Sequence, residues 1–170
     1  MTAPELAAPA VADGRTDFDF FHGRWRGEQR KIANILDPDC TDWVEFESLT
    51  ECDPVLGGLG NVDHLHVAAL PPTGEPLEGL TVRLYDPATD LWRVWWVSSR
   101  SPGMLEVPVV GRFTDGEAKL YADEVVGGHL VRVLYHWTPQ GQDKARWQQQ
   151  FSYDAGATWR TNWTAHFTRI

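Results

Sequence analysis

The chain has 170 residues, a formal net charge of −9 and 42% hydrophobic residues. That length suits one domain and can bury a core without disulfides or metals. The acidity and the scattered 15 Lys and Arg exclude a nucleic-acid partner, whose phosphates need a concentrated basic surface, and no stretch approaches the roughly 18 apolar residues of a membrane helix, so no membrane partner is expected.

Met1 to Gly14 has no basic start and no apolar block, which argues against a secretory signal. Its Ala and Pro content predicts a disordered tail over residues 1–16, with a single barrel domain over 17–170. Without an export signal, Cys40 and Cys52 are expected as free thiols in a reducing cytoplasm. Asp17 to His22 is the best helical candidate, a short segment with Asp17 as N-cap that could plug one barrel end.

From Arg24 onward apolar and polar residues alternate with period two. The alternation predicts strands over Arg24–Ile35, Trp43–Cys52, Gly60–Val67, Leu77–Tyr85, Leu91–Ser98, Pro108–Thr114, Ala118–Val125, Leu130–Trp137, Ala145–Tyr153 and Trp159–Arg169. Asp115-Gly116 and Gly127-Gly128 fit two-residue hairpins, which need positive φ at both central positions. Asp86-Pro87-Ala88-Thr89-Asp90 places Pro where a turn uses its fixed φ. Short strands with local turns must bury one face and protect their edges, and closing the sheet does both. The expected fold is all-β, a ten-stranded antiparallel up-and-down barrel; a sandwich is the alternative, disfavoured by the lack of long crossovers.

Ser152-Tyr153-Asp154-Ala155-Gly156-Ala157-Thr158-Trp159 matches the Asp-box pattern of sialidase propellers. A propeller needs repeated blades and this chain has one copy, so the motif is read as a structural hairpin. The nine tryptophans either fill a wide barrel core or wall a ligand cavity.

Polar residues set within apolar strands are the candidate site. Asn61 and Asp63 alternate with Val62, Arg83 shares a face with Tyr85, and Gln149 shares one with Trp147 and Phe151. Asn61, Arg83, Tyr85, Trp95, Trp147, Gln149 and Trp163 are taken as ligand-binding, with a small hydrophobic molecule as the partner. Arg83 could hold a ligand carboxylate or enolate, or a structural acid such as Asp63. No triad, nucleophile elbow or phosphate loop is present, so catalytic residues are unassigned. A cofactor-free cyclase or isomerase stays open beside the binding protein, as does a homodimer. His64 and His66 share a strand face but lack further spaced ligands, and no metal is expected there.

Several motifs occur in order: Asp17-Phe18-Asp19-Phe20-Phe21-His22-Gly23-Arg24-Trp25, Leu56-Gly57-Gly58-Leu59-Gly60-Asn61-Val62-Asp63, Leu84-Tyr85-Asp86-Pro87 followed by Trp92 and Trp96, Val109-Val110-Gly111-Arg112-Phe113, Trp147-Gln148-Gln149-Gln150-Phe151-Ser152, Asn162-Trp163 and Phe167-Thr168-Arg169. Together they resemble an uncharacterised bacterial family, domain of unknown function 1579, over residues 17–169. The resemblance implies a lipocalin-like (calycin) barrel and no particular activity. Gly23-Arg24-Trp25-Arg26-Gly27-Glu28 is similar to the first strand of nitrobindin-like haem barrels, which would make His166 an axial ligand. Thr164 and Thr168 share the His166 face and mark it as outer, so no cofactor is expected.

Overall fold

The structure is a computed structural model that describes residues 13–170. Ten strands follow one another: β1 (Gly23–Ile32), β2 (Trp43–Val55), β3 (Gly60–Leu70), β4 (Glu75–Asp86), β5 (Leu91–Ser98), β6 (Val109–Thr114), β7 (Glu117–Val126), β8 (His129–Pro139), β9 (Lys144–Ser152) and β10 (Arg160–Arg169). Each pairs antiparallel with its chain neighbour, and β1 pairs with β10 to close the barrel. Every strand therefore has a partner on both sides over at least part of its length, as closing the sheet requires.

The alternation has its physical cause in the pleat. In β4, Leu77, Gly79, Thr81, Arg83 and Tyr85 are buried while their neighbours reach the outside. The Asp115-Gly116 and Gly127-Gly128 pairs have φ of 54° and 81°, and 56° and 83°, as type I′ turns require. The strand expected to run to Ile35 ends at Ile32, because the Asn34 side chain accepts the Leu36 N–H at 3.2 Å and turns the chain. Among the described residues no helix is long and apolar enough to cross a membrane.

One barrel end is closed by the segment before β1. It forms two 3₁₀ turns, Gly14–Thr16 and Asp19–Phe21. The expected N-cap at Asp17 is corrected: Asp13 caps the first turn by accepting the Arg15 N–H, and Asp17 closes that turn. Phe18 and Phe21 are fully buried, edge-on to Trp92 and Trp137. The predicted tail over residues 1–16 lies outside the described residues as far as residue 12. From Asp13 the chain is fixed, because Gly14 donates its N–H to the Tyr85 hydroxyl at 3.1 Å and accepts from the Trp92 indole at 3.1 Å.

The other end is the mouth, ringed by the β1–β2, β3–β4, β5–β6, β7–β8 and β9–β10 connections. The weakest seam is here. Strands β5 and β6 share three register pairs, Trp92–Gly111, Arg93–Val110 and Val94–Val109, so β5 runs on from Trp95 without β6 beside it. Residues 99–108 cross this gap.

Candidate functional site

Between plug and mouth the barrel holds a cavity of about 430 Å³ that opens at the mouth. Its wall is aromatic. Trp96 and Trp147 meet the Trp163 ring edge-on, with centroids 6.1 and 5.4 Å away. Gly79 makes room for this wall: a Cβ there would fall 2.0 Å from the Trp96 ring, so the ring lies against bare backbone.

The floor is polar. Arg83 is 1% exposed, and its Nη1 donates to Asn61 Oδ1 at 2.9 Å and pairs with Asp63 at 2.6 Å. β3 and β4 bring these groups together because Asn61 lies opposite Arg83 and Asp63 opposite Thr81 in the register. The guanidinium also sits 5.1 to 5.3 Å from the Phe18, Phe21 and Trp137 ring centroids, so two rings of the plug and one of β8 pack around it. Its Nε–H has no partner among the described residues, and neither has the hydroxyl of Thr50, another residue of the cavity wall. Gln29 and Gln149 are tied more fully. Gln29 donates to Ser48 at 2.9 Å and accepts from the Trp163 indole at 2.8 Å, while Gln149 donates to Asn162 at 3.0 Å. Burial, opposed by the charge of Arg83, pushes the Cys52 thiol up to about 12.

Charge returns at the mouth. Lys31, Arg100, Glu106 and Glu124 all border the cavity, with Tyr135 among them. Burial raises the pKa of both glutamates, and for Glu106 the Glu124 charge adds to the rise while Lys31 opposes it. Burial, then the charges of Glu106 and Glu124, pushes the Tyr135 hydroxyl far above its usual range.

Four of the seven residues expected to bind ligand line this cavity: Arg83, Trp147, Gln149 and Trp163. Asn61 is buried behind the floor, where it holds Arg83. Tyr85 is corrected: its hydroxyl donates to Asp90 at 2.9 Å and receives the Gly14 N–H, so it latches the plug outside the cavity. Trp95 is also corrected. Trp92, Val94 and Trp96 take the inner face of β5, which leaves Trp95 on the outer face and gives its intended place to Trp96. The sequence reading missed Gln29, Lys31, Thr50 and Thr81, although each sits an even number of residues from an inward neighbour, as Gln29 and Lys31 do from Trp25.

The other candidates lie on the outer wall. Glu78 bridges His64 and His66 there as an exposed ion-pair cluster. Among the described residues no group of three or more His, Cys, Asp or Glu side chains has the disposition of metal ligands. His166 is exposed on β10 and faces away from the lumen. In the Asp-box segment, Asp154 accepts the Thr158 N–H at 2.8 Å and the Ser152 hydroxyl at 2.7 Å. It is a turn device, as expected.

No protein-family model matches the chain, and no curated protein matches it. The chemistry of the site therefore rests on its own geometry. Asp63 already neutralises Arg83, so a second carboxylate at the floor would be repelled, whereas a neutral carbonyl or hydroxyl would not.

Proposed function

We propose that the lumen holds one small, largely apolar organic molecule, with a neutral hydrogen-bonding group directed at the Arg83 floor. The observation that carries this is the tryptophan-walled cavity of about 430 Å³, open at the mouth and floored by the buried Arg83 guanidinium. A volume of that order suits a drug-sized ligand, and apolar walls with few polar anchors are the usual form of such sites. Of the two partners expected for Arg83, a ligand carboxylate or enolate and a structural acid such as Asp63, the second is present, which leaves a neutral group for the ligand.

On the same reading the barrel is lipocalin-like and belongs with the uncharacterised family it resembles. The supports are the up-and-down order and the plug ahead of β1. The free thiols Cys40 and Cys52 fit a reducing cytoplasm.

Titration with naphthalene-sized alcohols and ketones, followed by tryptophan fluorescence, tests the proposal. Saturable quenching at one molecule per chain is the expected result. A panel of such compounds that produces no saturable change up to its solubility limit leaves the tryptophans as packing alone and refutes the reading.

A further inference from the structure

We propose that Lys31 is a nucleophilic amine that captures a carbonyl-bearing lumen ligand, an aldehyde or ketone, as a Schiff base. This rests on the reading of the lumen as a ligand site and narrows its ligand class.

Placement comes first. Lys31 follows Trp25 and Gln29 on the inner face of β1 and borders the cavity. Its Nζ lies 4.3 Å from the Trp163 ring centroid, on the tryptophan wall itself. Every ion pair among the described residues is made by an Arg or a His, so no carboxylate holds the Lys31 ammonium in a salt bridge. The chain uses lysine at only three positions, 31, 119 and 144, against twelve arginines. Lys119 and Lys144 are exposed on the outer surface. A cation needed only for charge or packing is Arg nearly everywhere in this protein, and among the cations that line the cavity, Arg83, Arg100 and Lys31, only Lys31 is a primary amine. Arg cannot form an imine and Lys can.

The surroundings favour the free amine. Burial lowers the Lys31 pKa most; Glu106 opposes this, and the Arg100 charge lowers it further. An amine desolvated beside another cation is a recognised form of activated nucleophile. The Trp163 face favours the ammonium and parks it against the wall. A ligand that displaces Nζ from the ring removes that support and leaves burial and Arg100 to release the proton.

The step balances without an external reductant or oxidant. The Nζ lone pair attacks the carbonyl carbon, the C–N bond forms and the carbonyl π pair moves to oxygen. One N–H proton passes to that oxygen to give the neutral carbinolamine. Its hydroxyl then takes a proton from an acid, and the nitrogen lone pair expels water as the C–O bond breaks. The iminium returns its N–H proton to the conjugate base to leave the imine. Glu106 is the group placed to act as that acid, since burial and Glu124 raise its pKa and keep a proton on it more readily.

The test compares 2-naphthaldehyde with 2-naphthalenemethanol, which has the same shape and no carbonyl. Each is added to the full chain at neutral pH with cyanoborohydride, which reduces an imine to a stable amine. Peptide mapping then locates adducts. The expected outcome is one aldehyde adduct per chain at Lys31, formed at least about tenfold faster than at Lys119, Lys144 or the N-terminus. Lys31→Met and Lys31→Arg should lose that adduct, while the slower adducts at Lys119, Lys144 and the N-terminus form as in the native chain. Binding of both compounds with adducts spread evenly over the amines overturns the inference and leaves the lumen reading standing. So does an undiminished adduct in either variant. Binding of neither compound overturns the lumen reading and this inference with it.

Discussion

Replacing Asp63 by Asn removes one negative charge from beside the Arg83 guanidinium while changing almost no volume. The side chains of Arg83 and Asp63 are 2% and 4% exposed, so water cannot take the place of the lost partner. Breaking a buried pair in this way costs about 3–5 kcal/mol, because the remaining charge is left uncompensated. Asn61 and the three caging rings return part of that, with desolvated cation–π contacts worth up to about 2 kcal/mol. The expected net loss is about 3 kcal/mol. For a chain of this size each kcal/mol moves the melting temperature by about 2–4 °C, so the midpoint should fall by about 6–12 °C. Thermal and urea unfolding, each followed by fluorescence and circular dichroism, measure it. The double variant Asp63→Leu/Arg83→Met removes both charges and should recover most of the loss. A change below about 0.5 kcal/mol for Asp63→Asn would show that water reaches the floor, and the argument for a dry, charge-neutral anchor would fail.

Three further outcomes follow from the same geometry. Gly79→Ala places a methyl where the Trp96 ring lies, and overpacking of this kind costs about 1–3 kcal/mol and drives the ring into the cavity; unchanged melting and unchanged titration would contradict the close approach. With its thiol pushed up to about 12 by burial, Cys52 should resist a disulfide reagent in the native state at mildly alkaline pH and react on unfolding, while the half-exposed Cys40 reacts at once; two fast thiols would contradict it. Hydrogen bonds from Thr158 and Ser152 hold the Asp154 carboxyl at about 2 against an ordinary 3.8, so its stabilisation is present above that ordinary value and lost as pH falls through the lower one. The stability gap between the native chain and Asp154→Asn should therefore narrow as the solution is acidified through that window, and a gap independent of pH would count against the turn's electrostatics.

The barrel was legible because nearly every strand buries one face, and a buried face imposes period two on the residues. The turns were legible because positive φ at two adjacent positions selects residues such as Asp-Gly and Gly-Gly. Within the site, legibility followed the same rule. Gln149 stands out because Trp147 and Phe151 flank it on one face. Gln29 and Lys31 do not, because the chain from Glu28 to Lys31 is polar on both faces and shows no alternation to read. Trp95 and Trp96 are chemically identical neighbours, so only the pairing frame, with Trp96 opposite Thr81 and Trp95 opposite Val82, separates wall from exterior. The Asp63–Arg83 pair depends on the β3–β4 register, and the frame of β10 shifts at a bulge between Thr161 and Trp163. Those are properties of pairing between strands, which composition and spacing along one strand do not encode. Tyr85 was placed in the lumen for the same reason: its face is right, but its depth along the barrel puts it at the plug.

A ligand that enters the tryptophan-walled lumen should touch the inner indoles and leave the outer ones alone. The nine indole N–H groups report it directly in a two-dimensional nitrogen–proton spectrum of the labelled protein titrated with 2-naphthalenemethanol. Trp96, Trp147 and Trp163 line the cavity, whereas Trp43, Trp95 and Trp159 lie outside it. Saturation should move the first three indole signals together, at one equivalent, and leave the outer three in place. Shifts confined to Trp43, Trp95 or Trp159, or no saturable shift in the lumen set, would contradict the account.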